Sequence, residues 1–191
     1  MNDELPSPIL ETPRLILRPP IQDDFDGFAA MAAEESTMRF LGGTAARHAA
    51  WRGMATIAGS WTLLGFSMFS VIEKASGRWL GRIGPWQPGG DDGGWPGREV
   101  GWGLLAGAQG KGYAFEGAVA VLDWVFDELE WNAVIHCIDR ANVRSVRLAE
   151  RLGSYRQREN VRLPAPFDAL VDVYGQTRDE WLERRPRPTP G

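Results

Sequence analysis

Cysteine is almost missing from this chain. Cys137 is the only one in 191 residues, so no intrachain disulfide and no cysteine-based metal cluster can form, and a reducing compartment is the natural setting. Long hydrophobic runs are missing too, since no segment approaches the roughly 18 apolar residues that a membrane span needs. The first residues, Met1-Asn2-Asp3-Glu4-Leu5-Pro6, carry neither a basic region nor an apolar stretch. These two absences point to an unexported cytoplasmic protein outside the membrane. There is no excess of positive charge: 21 Lys and Arg stand against 25 Asp and Glu, a formal balance of -4 that argues against a nucleic-acid partner and favours a cationic substrate. No internal repeat, P-loop ending or dinucleotide fingerprint is found.

Tryptophan, by contrast, is plentiful. There are nine, several beside Gly or Pro, where a loop or groove is a better home than a packed core. The length suits one domain with a core of its own. Residues 1–12 read as a loose leader, 13–184 as a single domain and 185–191, rich in Pro, as a disordered tail.

Leu15-Ile16-Leu17-Arg18, bounded by prolines, reads as a first strand. Asp23 and Asp24 suit a helix N-terminus ahead of Phe25, Phe28 and Met31, and a second helix is expected over Ala45 to Ala58. Phe66 to Glu73 and Trp79 to Ile83 are apolar, β-prone runs whose five-residue link has the length of a hairpin loop. From Gly84 to Arg98 the Gly, Pro and Trp content sustains neither helix nor strand, and a loop this long is either a connector or part of a site. Trp86 and Trp95 favour the second use, as aromatic walls for a substrate.

Glu99 to Leu105 resumes a strand, with Glu99, Gly101 and Gly103 on one face, almost bare backbone beside a carboxylate. Next come Gln109-Gly110-Lys111-Gly112-Tyr113-Ala114 and a helix with apolar residues at Ala118, Val121, Leu122, Val125 and Leu129. Small residues let a ligand approach the main chain, and a helix start leaves N–H groups without intrahelical partners, the outline of a phosphate cradle. Ala133 to Ile138 reads as a central strand, Asn142 as the cap of a short helix closed by Gly153, Tyr155 to Val161 and Val171 to Gln176 as two last strands, and Thr177 to Glu180 as a capping box.

In this order, Glu11-Thr12-Pro13-Arg14-Leu15, Leu17-Arg18, Glu99-Val100-Gly101-Trp102, Gln109 to Ala118, Asn142 with Ser145, Leu152-Gly153, Val173-Tyr174-Gly175 and Asp179-Glu180-Trp181 resemble the GNAT superfamily of N-acetyltransferases, and within it the RimJ/RimL type. The resemblance implies an α/β (α+β) fold: a mixed, twisted, largely antiparallel sheet with splayed central parallel strands and helices on both faces. It implies acetyl-CoA as co-substrate and no metal. Pyrophosphate would rest on the N–H groups of Gln109, Gly110, Lys111, Gly112, Tyr113 and Ala114, and pantetheine on Trp102, Gly103 and Leu104, where the glycine face leaves room, with Asn142 in contact. Acetyl would pass directly to an amine acceptor, a protein N-terminus or a small molecule, in a monomer or homodimer.

Glu99 is the candidate base or amine-orienting carboxylate, and otherwise a plain strand-end acid in water. Ser145 is the candidate donor to the CoA sulfur, and otherwise, with Asn142, a helix cap. Cys137 reads as buried filler, His136 as a packed residue and His48 as surface. A non-catalytic acyl-CoA sensor on the same fold is the competing reading.

Overall fold

A computed structural model describes residues 8–88 and 94–185. The chain, read from sequence as one domain over 13–184, gathers into two compact units: Met1–Trp86 with Gly101–Val121, and Gln87–Val100 with Leu122–Gly191.

The first unit is built on short apolar strands punctuated by Pro and Gly. β1 (Leu10–Glu11) and β2 (Leu15–Arg18) pair antiparallel, then β3 (Phe69–Glu73) and β4 (Trp79–Trp86) continue the meander through the expected hairpin. β5 (Glu99–Leu104) follows beside β4, where the N–H of Leu105 donates to the carbonyl of Leu80 at 2.9 Å. Leu15, Leu17, Phe69, Val71 and Ile83 are fully buried. The start of α4 (Tyr113–Asp127) packs there through Gly117, where a Cβ would come 2.7 Å from Ile83 Cδ1. On the other side lie α1 (Phe25–Ala33), the one-turn α2 (Glu35–Met38) and α3 (Arg47–Leu64), whose Phe28, Met54 and Ile57 form a core with Met68.

Several expectations are corrected here. Leu10 and Glu11 pair as a strand, so the loose leader does not extend to residue 12; residues 1–7 lie outside the described part. The second helix runs on to Leu64, with the Thr56 and Ser60 hydroxyls turned back onto the Arg52 and Thr56 carbonyls, and it stops at Gly65 with φ 76°. β4 extends through Gly84 and Pro85, read above as loop; a Cβ on Gly84 would lie 2.8 Å from Met68 Cα, so only glycine fits.

The second unit holds the start of β5, β6 (Ala133–Ile138), α5 (Val143–Arg151), β7 (Tyr155–Arg162), β8 (Leu170–Thr177) and α6 (Arg178–Arg184). β5 and β6 are parallel, with Glu99 opposite Ile135; β6 and β7 both pair antiparallel with β8. The strand order is β1-β2-β3-β4-β5-β6-β8-β7, an eight-stranded, mostly antiparallel sheet flanked by helices, the mixed α/β architecture expected. β7 is an edge strand exposed along nearly its whole length. Thr177 and Glu180 form the capping box, and Trp181 is buried with its Nε1–H on Asp123 Oδ1 at 2.9 Å. Arg185, assigned above to the tail, pairs with Asp127 at 3.1 Å and Asp123 at 3.4 Å; residues 186–191 lie outside the described part. No helix among the described residues is long and apolar enough to cross a membrane.

Candidate active site

In the first unit, the chain leaves β5 through a 3-10 turn (Ala106–Ala108) and enters α4 at Tyr113. Gly110 and Gly112 have φ of 74° and 83°, backbone that a side chain disfavours, so the turn between them is set by glycine. A Cβ on Gly110 would meet nothing within 4 Å, leaving open space over the main chain. Gln109 does a different job from the one expected. Its N–H donates to Ala106 O at 3.1 Å and so is already taken, which starts the row of candidate anion donors at Gly110. Its side-chain Nε2 reaches back to Leu104 O at 2.9 Å and Thr37 Oγ1 at 3.2 Å, bracing the end of β5. Glu34 completes the brace by accepting from the Ala106 N–H at 2.8 Å.

The glycine face of β5 is less open than expected. A Cβ on Gly103 would stand 2.9 Å from both Met31 Cε and Leu41 Cδ1, so those side chains cover it and the bare backbone there serves packing. Trp102 is half-buried, and Leu104 is buried with its carbonyl engaged by Gln109. Lys111 is exposed and Ala114 half-buried, while Tyr113 is buried with its hydroxyl on the Glu73 carboxylate. Trp86 packs against the Phe28, Met54, Ile57 and Met68 core.

Arg14 is the residue of this turn that the sequence reading missed. Its Nη1 donates to Lys111 O at 3.0 Å, its guanidinium lies over the Tyr113 ring at 4.5 Å, and its Nε pairs with Glu116 at 2.6 Å. Glu116 also accepts from the Arg14 N–H at 2.9 Å and the Thr12 hydroxyl at 2.6 Å, tying the N-terminal strands to the first turn of α4. Only the Thr-Pro-Arg run hinted at it. A surface cleft of about 350 Å³ adjoins, lined by Pro13, Arg14, Glu73, Lys74, Ala75 and Tyr113.

In the second unit, Glu99 is buried, with 7% of its surface exposed. It is no plain acid in water. Oε2 accepts from Trp95 Nε1 at 2.7 Å, and Oε1 accepts from the Cys137 N–H at 3.2 Å. Burial pushes its carboxyl up to about 7, against the pull of those donors. It therefore changes charge near neutrality, where a general base is most effective. Trp95 is held in turn: its ring meets Phe167 edge-on at 5.1 Å, and Arg158 donates to Pro96 O at 2.8 Å. The second half of the Gly/Trp loop thus delivers an N–H to the carboxylate; residues 89–93 lie outside the described part.

Asn142 caps α5, its Oδ1 accepting from the Ser145 N–H at 3.3 Å, so the two residues are brought together and Ser145 keeps a half-buried place on the first turn. Burial and Glu99 raise the Cys137 thiol far above its ordinary range, which removes it as a nucleophile at neutral pH. His136 is buried and pushed down to about 4 by desolvation. Its Nδ1 lies 2.6 Å from Val100 O, which can only accept, so Nδ1 carries the proton and Nε2 accepts from Ser154 Oγ at 3.0 Å. That ring fixes the carbonyl next to Glu99. His48 is exposed. Among the described residues no group of three His, Cys, Asp or Glu is placed to hold a metal ion.

Residues 14–154 match the acetyltransferase (GNAT) domain family. The fold is similar to that of an acetyltransferase from Agrobacterium tumefaciens, with 27% identity, 88% of this chain and 94% of that one covered and a TM-score of 0.76. It is also similar to a GNAT-family acetyltransferase from Bacillus anthracis, at 20% identity, 90% and 99% coverage and a TM-score of 0.74. A spermidine N-acetyltransferase from Vibrio cholerae, solved with CoA and spermine, shares the fold at 15% identity, 90% and 99% coverage and a TM-score of 0.71.

Proposed function

The chain belongs to the GNAT acetyltransferase family, and from that premise we propose that it is an acetyl-CoA-dependent N-acetyltransferase of the RimJ/RimL type. It acts in the cytoplasm, as a monomer or homodimer, on a primary amine that is either a protein N-terminus or a small molecule. The observation that carries this reading is Glu99, a buried carboxylate on β5 poised at about 7 and aimed by two N–H donors.

The residues divide the work as follows. N–H groups from Gly110 to Ala114 receive the pyrophosphate of CoA, in a turn whose main chain is open at Gly110. The backbone of Trp102 and Gly103 hydrogen-bonds the pantetheine in the manner of an added strand, and Asn142 contacts it from the α5 cap. Glu99 takes the proton that the attacking amine must lose. As the carbon–nitrogen bond forms and the carbon–sulfur bond breaks, the Ser145 hydroxyl hydrogen-bonds the departing sulfur.

The test is thiol release from acetyl-CoA with a panel of N-terminal peptides, polyamines and amino-sugar antibiotics, run for the native chain, Glu99→Gln and Ser145→Ala. Turnover with one acceptor class, lost in Glu99→Gln while CoA binding by calorimetry persists, supports the proposal. CoA binding without turnover across the panel refutes catalysis and favours a sensor. Turnover unchanged in both variants refutes the assigned roles.

A further inference from the structure

β5 and β6 run parallel, and among the described residues they pair at one position, Glu99 opposite Ile135, with the Ile135 N–H donating to Arg98 O at 2.9 Å. A regular parallel ladder repeats every two residues, so its next bond would run from the Cys137 N–H to Val100 O. The register ends before that bond. Instead the Cys137 N–H turns to Glu99 Oε1 at 3.2 Å, and Val100 O accepts from His136 Nδ1 at 2.6 Å. Two side chains, one from each strand, stand in for one backbone bond, and all of these residues belong to the second unit.

The exchange is supported from behind. His136 is buried, and its Nε2 accepts from the Ser154 hydroxyl at 3.0 Å; Ser154 Oγ accepts in turn from Gln176 Nε2 at 3.0 Å, which also donates to Leu152 O at 3.1 Å. A hydroxyl that accepts from an amide has its own proton left to give, so this chain of bonds runs one way and leaves the ring's proton on Nδ1, facing Val100. Desolvation holds the ring down to about 4, so at neutral pH it is uncharged and acts through that one N–H. A buried carbonyl without a donor is costly, and the donor that the register offers Val100 O in place of His136 is the Cys137 N–H. Taking it would strip Glu99 of one of its two N–H donors. The groups facing the carboxylate are Trp95 from the loop, the N–H and thiol of Cys137 from β6 and, through its field on that thiol, Arg158 from β7; of these, the Cys137 N–H is the one for which Val100 O competes.

We propose that His136 is a positioning residue for Glu99: by satisfying Val100 O it releases the Cys137 N–H from the ladder, and that N–H aims the carboxylate. Its catalytic meaning rests on the acetyl-transfer reading. His136 touches no reacting atom in this role and works through the backbone of Cys137. Apolar side chains at 136, 154 and 176 would pack there without desolvating polar groups, so what the buried polar chain delivers is one N–H at Val100 O.

The test compares the native chain with His136→Asn, whose amide nitrogen stands where Nδ1 was, His136→Gln, whose amide stands where Nε2 was, and Ser154→Ala, which deletes the distal bond alone. The midpoint of Glu99 is read by carbon NMR of labelled glutamate, with Glu99→Gln as the blank, and the Cys137 amide is followed by nitrogen–proton NMR over the same pH range. In the native chain the two should titrate together at about 7. In His136→Gln the Glu99 midpoint should rise to about 8, because the ionised carboxylate loses a donor, and the Cys137 amide should cease to follow it. His136→Asn and Ser154→Ala should keep the native midpoint, the second with a lower melting temperature. In thiol release, kcat/KM at neutral pH should fall about fivefold in His136→Gln and recover as pH rises, and His136→Asn should restore the native profile. A native midpoint in His136→Gln overturns the proposal, and so does an equal rise in His136→Asn or Ser154→Ala, which would make the ring packing alone. Should His136→Gln not fold, a shifted midpoint in His136→Asn still overturns it, and a native midpoint there with the Cys137 amide following Glu99 upholds it. If no acceptor is turned over, the acetyl-transfer reading falls while the two NMR titrations still decide whether His136 places the carboxylate.

Discussion

Trp95→Phe keeps an aromatic ring against Phe167 and deletes one N–H, the donor 2.7 Å from Glu99 Oε2. That donor acts on the ionised carboxylate and holds the group down against burial, which raises it. A hydrogen bond to a charged group contributes about 1.5–3 kcal/mol, and one pH unit corresponds to about 1.4 kcal/mol. Removing the bond should therefore raise Glu99 by about one to two units, from about 7 to about 8–9. The base works only when ionised, so kcat/KM climbs with pH through this value and the acid limb should move to higher pH in the variant. At neutral pH the ionised fraction drops from about one half to roughly 1–10%, so the rate should fall about 5- to 50-fold and recover on the alkaline plateau. The assay is thiol release against pH with one acceptor for both proteins, because an α-amino acceptor titrates at about 7.7–8.0 in its own right and must be held constant. An unmoved limb with a uniform loss of rate would refute the reasoning and make Trp95 a wall alone.

Glu99→Gln should abolish turnover and stabilise the fold in neutral and alkaline solution. The native carboxyl at about 7 lies above its ordinary 4.5, so the folded state holds the proton longer than the unfolded one and stability falls as pH rises between those values. The variant escapes this loss, worth up to about 3 kcal/mol above neutrality and nothing below about pH 4 in denaturant melts; a pH-independent difference would count against the shifted carboxyl. Gly112→Ala places a side chain at φ 83° with its Cβ 3.3 Å from Arg14 Nη2. At about 1–2 kcal/mol of backbone strain, CoA binding by calorimetry should weaken about tenfold, and unchanged affinity would remove the turn from the site. Glu116→Gln takes the ionic partner from Arg14 and weakens the grip on Thr12, which should lower stability by about 1–2 kcal/mol; no loss in denaturant melts would show that the clamp is idle.

What the sequence made legible was what local chemistry decides. β6 has the bounds its apolar run implied, the hairpin after Glu73 forms at its Gly-containing link, and the capping box at Thr177 closes as the residue types required. The glycine turn and the strand carrying Glu99 were legible for the same reason. α2 was missed because four residues show no period, and β4 was cut short because Gly84 and Pro85 read as breakers until the close approach of Met68 is seen. Arg14 at the turn was invisible for a different reason. Its partners Lys111, Tyr113 and Glu116 lie far along the chain, and only the packing of the start of α4 brings them to it. Glu99 was found, but its burial under Trp95 was not, since nothing local says that the loop folds back upon it.

β7 is one of the two end strands of the sheet, and such a margin offers unpaired backbone to any other chain it meets. Three features work against that. Its register on β8 slips between Arg156 and Arg158 and again before Val161, Asn160 takes a φ of 53°, and Arg156, Arg158, Glu159 and Arg162 line its outer length with charge. A second copy approaching edge to edge would find a kinked strand set with charged side chains. The margin is thereby protected against self-templating, and replacing those arginines with threonine or valine would convert a soluble rim into a nucleus for fibrillar aggregation.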